Sequence, residues 1–293
     1  MIVYLDTNHL IDLLQHDAPC PFDDFRRSLE GGGHRLALTF TRVREIAAPL
    51  YYRDRGRIVP PASSAWSEIR PLLIRLDRLP LSFIHEVRIN PLELSEAVAA
   101  FRESRPYQPV SPFVPRFDFT IQPDASPPAS QHLINLGVAE TVFLLLDSGS
   151  DVFSGQTTQS PHWPSFLARN RAIRNPPSLR ENFVRVVRDE LGFHRIETHG
   201  IDAGKLANWI YDSPERCPGK RLSYEVMHRL IADRAKPQAS DLGDLSGVQC
   251  LPYVDIATMD RALVSRVNQA ASRMRASLSV RIATNLSDAM QIL

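Results

Sequence analysis

The sequence predicts an α/β protein in which a parallel sheet is flanked by helices and carries a large, mainly helical insertion. Three observations lead there. First, Ile2-Val-Tyr-Leu5, Arg35-Leu-Ala-Leu-Thr-Phe40 and the stretch from Tyr253 to Thr258 are short apolar runs without alternation, as expected of strands buried on both faces. Second, the runs lead into stretches with helical apolar spacing, such as Leu10, Ile11, Leu13 and Leu14 after the first. Third, a proline-rich stretch from Arg105 to Ser130 interrupts this rhythm and opens a segment with a different, helical character.

Taken in order, Met1 to Leu5 is a strand that delivers Asp6 to its carboxyl end, where Asp6-Thr7-Asn8 starts a helix. Asp6 there is either a helix cap or a chemically useful carboxylate, since ligands of open parallel sheets sit outside the carboxyl ends of the strands. Gly31, Gly32 and Gly33 lack the Gly-Lys-Ser/Thr of a phosphate cradle and read as a turn before the second strand. Thr39 and Thr41 can cap the next helix, which carries Val43, Ile46, Ala47 and Leu50 on one face and Glu45 in its first turn. Glu45 suits the helix dipole, but it also follows the second strand as Asp6 follows the first.

Ser64 to Asp77 reads as a helix interrupted near Pro71, and Leu81 to Ile89 as a third strand. Asn90-Pro91 then looks like an N-cap and first helical residue. The region 105–236 is expected to be an insertion within a single domain spanning 1–293. Inside it, His132 to Asp147 reads as a helix, while Ser148 to Ser165 fits no pattern. A basic segment follows, with Arg169, Arg171, Arg174, Arg180, Arg185, Arg188 and Arg195. Leu179, Phe183, Val187 and Leu191 form the apolar stripe of its helix, so Arg180, Arg185 and Arg188 lie off that stripe, as a solvated surface or a contact for nucleic-acid phosphates. Helices near Ala203–Tyr211 and Leu222–Ala235 complete the insertion.

In the last third, Ser240-Asp241-Leu-Gly-Asp244 starts a helix with two acids toward one end. Leu251-Pro-Tyr-Val-Asp-Ile-Ala-Thr-Met-Asp260 then repeats the opening logic of a strand ending in an acid. Asp255, inside that strand, points to the other face and reads as a supporting residue. Arg261 to Met274 is an amphipathic helix, Ser277 to Ile282 a short strand and Leu286 to Leu293 a terminal helix.

Composition narrows the function. Lysine and arginine total 34 against 33 acidic residues in a chain of 293, so a strongly basic nucleic-acid binder is not indicated, although a local basic face is compatible. Cys20, Cys217 and Cys250 lie far apart and lack metal-ligand spacing, which suits a reducing cytoplasm. No run approaches the roughly 18 apolar residues of a membrane span, so no membrane partner is expected. With Ile2 to Leu5 as a core strand, the mature chain is expected to begin at Met1.

Strand-end carboxylates at Asp6, Glu45, Asp241 or Asp244, and Asp260 would form a negative cluster, with no lysine or arginine of the motifs expected to neutralise it. Such charges require a cation to remain ionised together, and oxygen-only ligands favour Mg²⁺ or Mn²⁺. Ions of that kind activate water for attack on a phosphodiester. Asn8 and Thr258 are expected to hold the carboxylates in place.

Val3-Tyr-Leu-Asp6-Thr-Asn8, the helix start from Thr41 to Glu45, Ser240-Asp241-Leu-Gly-Asp244 and Leu251 to Asp260 together resemble the PIN and PIN-like domain nucleases, in order and from end to end. The resemblance implies a PIN-like parallel sheet and a metal-dependent ribonuclease, often the toxin of a toxin-antitoxin pair. It gives Asp6, Glu45, Asp244 and Asp260 the catalytic, metal-binding roles, with Asp241 competing with Asp244 for the third. The expected partners are an RNA substrate, with an antitoxin protein and a second copy of the chain as candidates. Relatives with the Leu-Pro-Tyr strand often carry a histidine three residues after the third acid, where this chain has Gly247.

A non-catalytic nucleic-acid-binding or scaffold module of the same fold is the main competing reading. Haloacid-dehalogenase-like phosphatases open similarly but need a second Asp where this chain has Asn8. Among the nine histidines no His-x-x-x-His pattern suggests zinc, and no Gly-x-Ser-x-Gly suggests a serine nucleophile.

Overall fold

The computed structural model describes residues 1–15, 21–52, 64–114, 137–147, 176–233 and 240–293. Its centre is a mostly parallel sheet. Strand β1 (Ile2–Tyr4) pairs in parallel with β2 (Arg35–Thr39) on one side and β5 (Ile256–Thr258) on the other. Outside β2 lies parallel β3 (Leu81–Ile84), outside β5 lies parallel β6 (Arg281–Ala283), and β4 (Phe113–Val114) runs antiparallel along β3. The order β4-β3-β2-β1-β5-β6 reverses its direction of travel between β1 and β5. A crevice therefore forms outside the carboxyl ends of those two strands.

Alternation along each strand feeds two cores. Val3, Leu36, Leu38 and Ile256 point to one face, where they meet α1 (Thr7–Gln15), α2 (Phe22–Gly31), α3 (Phe40–Tyr52), α4 (Ser64–Leu76), α6 (Val138–Asp147) and α12 (Leu286–Ile292). Tyr4, Ala37 and Ala257 point to the other, beneath α5 (Glu86–Arg102), α9 (Pro218–Asp233), α10 (Ser240–Cys250) and α11 (Arg261–Met274). This is the three-layer arrangement expected of a sheet buried on both sides. A third core joins α5 and α9 to α7 (Pro176–Phe193) and α8 (Ala203–Tyr211), and the expected stripe Leu179, Phe183, Val187 and Leu191 is buried in it.

Several boundaries differ from the sequence expectation. The third strand ends at Ile84, and α5 starts at Glu86 and passes through Pro91. A strand to residue 89 would put Val87 and Ile89 on one face, yet Val87 is 53% exposed and Ile89 is 0% exposed. Ile89 instead continues the buried row of Glu93, Ala97 and Ala100 by one turn, which outweighs the hydrogen bond lost at Pro91. Likewise α4 continues through Pro71, held by the buried stripe Trp66, Ile69, Leu73 and Leu76. Pro112 directly precedes a strand, but one at the edge of the sheet, where a missing N–H is tolerated. Pro252 opens a 3₁₀ turn, Leu251–Tyr253, that shortens β5, and the last strand falls at Arg281–Ala283. The unplaced stretch 148–165, the first part of the expected helix 132–147, and Arg169, Arg171 and Arg174 lie outside the described residues. Among the described residues no helix is long and apolar enough to cross a membrane.

Candidate active site at the carboxyl ends of the central strands

Asp6 leaves β1 at the switch point. Its backbone N–H donates to Thr258 Oγ1 at 3.0 Å, and its carbonyl accepts from Leu10 N–H at 2.9 Å as α1 begins. Thr258, fully buried at the end of β5, thus holds the backbone of Asp6 and fixes where its side chain emerges. Asn8 is exposed; the side chain of α1 that reaches another acid is Thr7, whose hydroxyl donates to Glu45 Oε2.

Helix α3 starts at Phe40, one residue earlier than the motif suggested, so Glu45 stands in its second turn. The helix N-terminus is closed twice. Thr39 Oγ1 accepts from Arg42 N–H at 3.3 Å, and the buried Glu86 carboxylate of α5 accepts from Phe40 N–H at 3.0 Å and Thr41 N–H at 2.5 Å. An anion at this position satisfies otherwise orphaned donors and suits the helix dipole. Glu86 was not visible from sequence because its partners lie 46 and 45 residues away.

The main correction concerns Arg42. The acidic cluster was expected to contain no neutralising base, but the Arg42 guanidinium lies between Asp6 and Glu45. It is 3.1 Å from Asp6 Oδ1 and 2.7 Å from Glu45 Oε2, and it also donates to Thr7 Oγ1 at 2.7 Å. Its side chain is only 3% exposed, against 13% for Asp6 and 28% for Glu45. Burial works against its charge, but the Tyr4 hydroxyl, Glu45 and Asp6 more than offset this and raise its pKa. The guanidinium also sits over the Tyr4 ring, 5.2 Å from its centre. The i,i+3 spacing of Arg42 and Glu45 was the signal in the sequence that could have revealed it.

Helix α10 closes over this arrangement through its glycines. A Cβ on Gly247 would stand 2.7 Å from the Tyr4 hydroxyl and 2.9 Å from an Arg42 nitrogen, and one on Gly243 would collide with Glu45 Oε1. The space beside Gly247 is therefore filled by the Tyr4 and Arg42 side chains. Asp241 and Asp244 both belong to α10, and Asp244 is half-buried. Asp260 follows β5, is exposed, and caps α11 by accepting from Leu263 N–H at 2.7 Å. Asp255 accepts from Ile2 N–H at 2.6 Å, the supporting role expected of it.

Each acid that Arg42 holds keeps one oxygen out of that grip. Asp6 uses Oδ1 and Glu45 uses Oε2; Asp6 Oδ2 and Glu45 Oε1 accept no hydrogen bond among the described residues. Among the described residues no three carboxylate, imidazole or thiol groups come close enough together to enclose a metal ion. The chemistry of the donors, oxygen only and partly open to solvent, fits a hard divalent cation, with Arg42 and Thr7 orienting the ligands.

The basic segment is largely engaged in the fold. Arg180 pairs with Asp212 at 2.8 Å, donates to Asn208 Oδ1 at 2.6 Å and lies over the Tyr211 ring. Arg185 donates to Asn182, and Arg188 packs against Gly204 at the start of α8. No family model matches this chain, and neither the curated proteins nor the solved structures yield a match.

Proposed function

We propose that this chain is a divalent-metal-dependent ribonuclease, the toxin component of a toxin-antitoxin pair, with Asp6, Glu45, Asp244 and Asp260 as its acidic residues. The observation that carries the reading is the placement of Asp6 and Glu45. They follow two adjacent parallel strands at the switch-point edge, each fixed through one oxygen by a buried arginine and each presenting the other oxygen. The resemblance of the acidic motifs to PIN-like nucleases supports the same assignment. Asp260 follows β5, the parallel neighbour of β1, and Asp244 is next in sequence to Gly243, which packs against Glu45.

A bound Mg²⁺ or Mn²⁺ would supply charge neutralisation of the phosphodiester and a water acidified enough to attack phosphorus. Asp6 and Glu45 would hold the ion. Arg42 fixes both carboxylates through one oxygen each, so it is a positioning residue. Its buried guanidinium is not placed to touch substrate.

Arg42 also favours a second reading. A site whose acids are already countered by an arginine can remain folded without an ion, as a non-catalytic nucleic-acid-binding or scaffold module would require. Asp6→Asn and Asp260→Asn separate the two. Both preserve size, and Asn at 260 still caps α11. Under the nuclease reading each abolishes RNA cleavage while circular dichroism shows the fold retained, with a lower Tm for Asp6→Asn because Arg42 loses one of its two carboxylate partners. Wild-type cleavage by both variants contradicts the site assignment.

A further inference from the structure

Beside the carboxylates lies a cleft of about 340 Å³ between α5, α7, α9 and α10. We infer that it binds one unpaired nucleobase of the RNA, an inference that rests on the nucleic-acid reading and adds a substrate class to it. The volume falls at the small end of ligand sites, suited to a single nucleoside and too small for a duplex.

Its chemistry selects the base over the phosphate. Among the described residues the one cation in its lining, Lys220, is buried and already paired with Glu190, and Glu86 adds a further carboxylate committed to the N-terminus of α3. A phosphate would find no uncompensated positive charge there. A flat, uncharged heterocycle finds apolar walls in Val186, Met227 and Leu245. It also finds an amide edge: Gln249 Nε2 donates to Asn90 Oδ1 at 2.7 Å, a bond that uses neither the Asn90 amino group nor the Gln249 carbonyl. One donor and one acceptor suit the edge of a nucleobase, as Asn and Gln side chains do in base recognition generally.

The position of the cleft links it to cleavage. Leu245 and Ser246 follow Asp244 directly, and Ser246 Oγ lies 3.4 Å from Thr41 Oγ1, one helical turn before Glu45. A base seated here places its own backbone beside the strand-end acids. Bases in A-form helices are not available for such insertion, so the substrate is RNA with single-stranded or looped-out nucleotides.

Equilibrium dialysis of the full chain with adenosine, cytidine, guanosine, uridine, ribose 5-phosphate and inorganic phosphate tests this. At least one nucleoside is expected to bind and to be displaced by single-stranded RNA but not by blunt duplex RNA, while ribose 5-phosphate and phosphate do not bind. Met227→Trp, which fills the cleft, should weaken nucleoside binding about tenfold or more, and Asn90→Ala, which removes half of the amide edge, should weaken it severalfold. Asp6→Asn should leave binding unchanged, so loss of cleavage and loss of base binding are read separately. Absence of nucleoside binding by the folded wild type, or binding that both cleft variants retain in full, overturns the inference whatever the outcome of the cleavage assay.

Discussion

Two pairs of carboxylates organise the molecule, and they are held in opposite ways. Glu86 and Glu93, both on α5, are buried and receive backbone N–H groups from the first turns of other helices, Phe40 and Thr41 of α3 in one case, Gly219 and Lys220 of α9 in the other. Asp6 and Glu45 are partly open and share a side-chain guanidinium. Backbone donors at a helix start consume a carboxylate and turn it into a structural clip. An arginine that takes one oxygen from each acid leaves both with coordinating capacity. The difference separates acids that assemble the fold from acids that are available to a ligand.

Breaking the open pair is expected to have the largest effect on stability. Arg42→Met strands two acids beside a buried apolar stem and should cost about 3–5 kcal/mol in a denaturant melt, the usual penalty for removing one partner of a buried ion pair. If the acids bind a cation, millimolar Mn²⁺ should restore more stability to this variant than to wild type. Equal shifts in the two proteins argue against an ion at Asp6 and Glu45.

The clips come next. In Glu93→Gln the amide keeps one acceptor but turns a donor toward one of the Gly219 and Lys220 N–H groups, and the neutral carbonyl weakens the remaining bonds. A loss of about 1–3 kcal/mol is expected, measured by the same melts, with cleavage kinetics of the folded fraction unchanged. A drop in kcat with unchanged stability would place Glu93 among the functional acids instead.

The smallest effect is in pH dependence. Burial, with Arg273 nearby, lowers the His228 pKa from 6.5 to about 4, and its ring nitrogen Nε2 lies 3.2 Å from the Asn182 amide nitrogen, so protonation would set donor against donor. A depressed histidine favours the folded state above its unfolded value, and that contribution is lost as pH falls from 6.5 toward 4. Glu93 has the opposite sign: burial raises it from 4.5 to about 7, so its contribution is present below 4.5 and lost as pH rises through 7. The two oppose each other in the overlap, so the informative quantity is a difference. His228→Gln, which retains an acceptor, should lose a few degrees less in Tm than wild type between pH 6.5 and 5. A parallel pair of curves removes His228 from the account of acid sensitivity.

Local signals in the sequence carried much of this architecture, and contacts distant in sequence carried what it missed. The apolar runs ending at Asp6 and Asp260, the stripe from Leu179 to Leu191 and the helix Arg261–Met274 were readable because strand burial, helical period and capping are written within a few residues. The start of α5 was not, because Glu86 earns its place by capping a helix 46 residues earlier. The site was legible as a set of acids but not as an electrostatic unit. Asp6 and Arg42 meet only once β1 and β2 pair, and Asn8 was assigned a role that Thr7 fills. Gly247 has no local reason in the sequence; in three dimensions it leaves the space that Tyr4 and Arg42 occupy.

The proposed function makes Asp6 and Glu45 ligands of a metal ion that acts on RNA. The most direct test is cleavage of a mixed pool of single-stranded and structured RNA by wild type and Asp6→Asn, each with Mg²⁺, with Mn²⁺ and with EDTA. Metal-dependent cutting by the wild type, abolished by EDTA and by the substitution, is the expected result. Cutting that survives EDTA or Asp6→Asn, or a folded wild type that binds the RNA and leaves it intact with either metal, contradicts it.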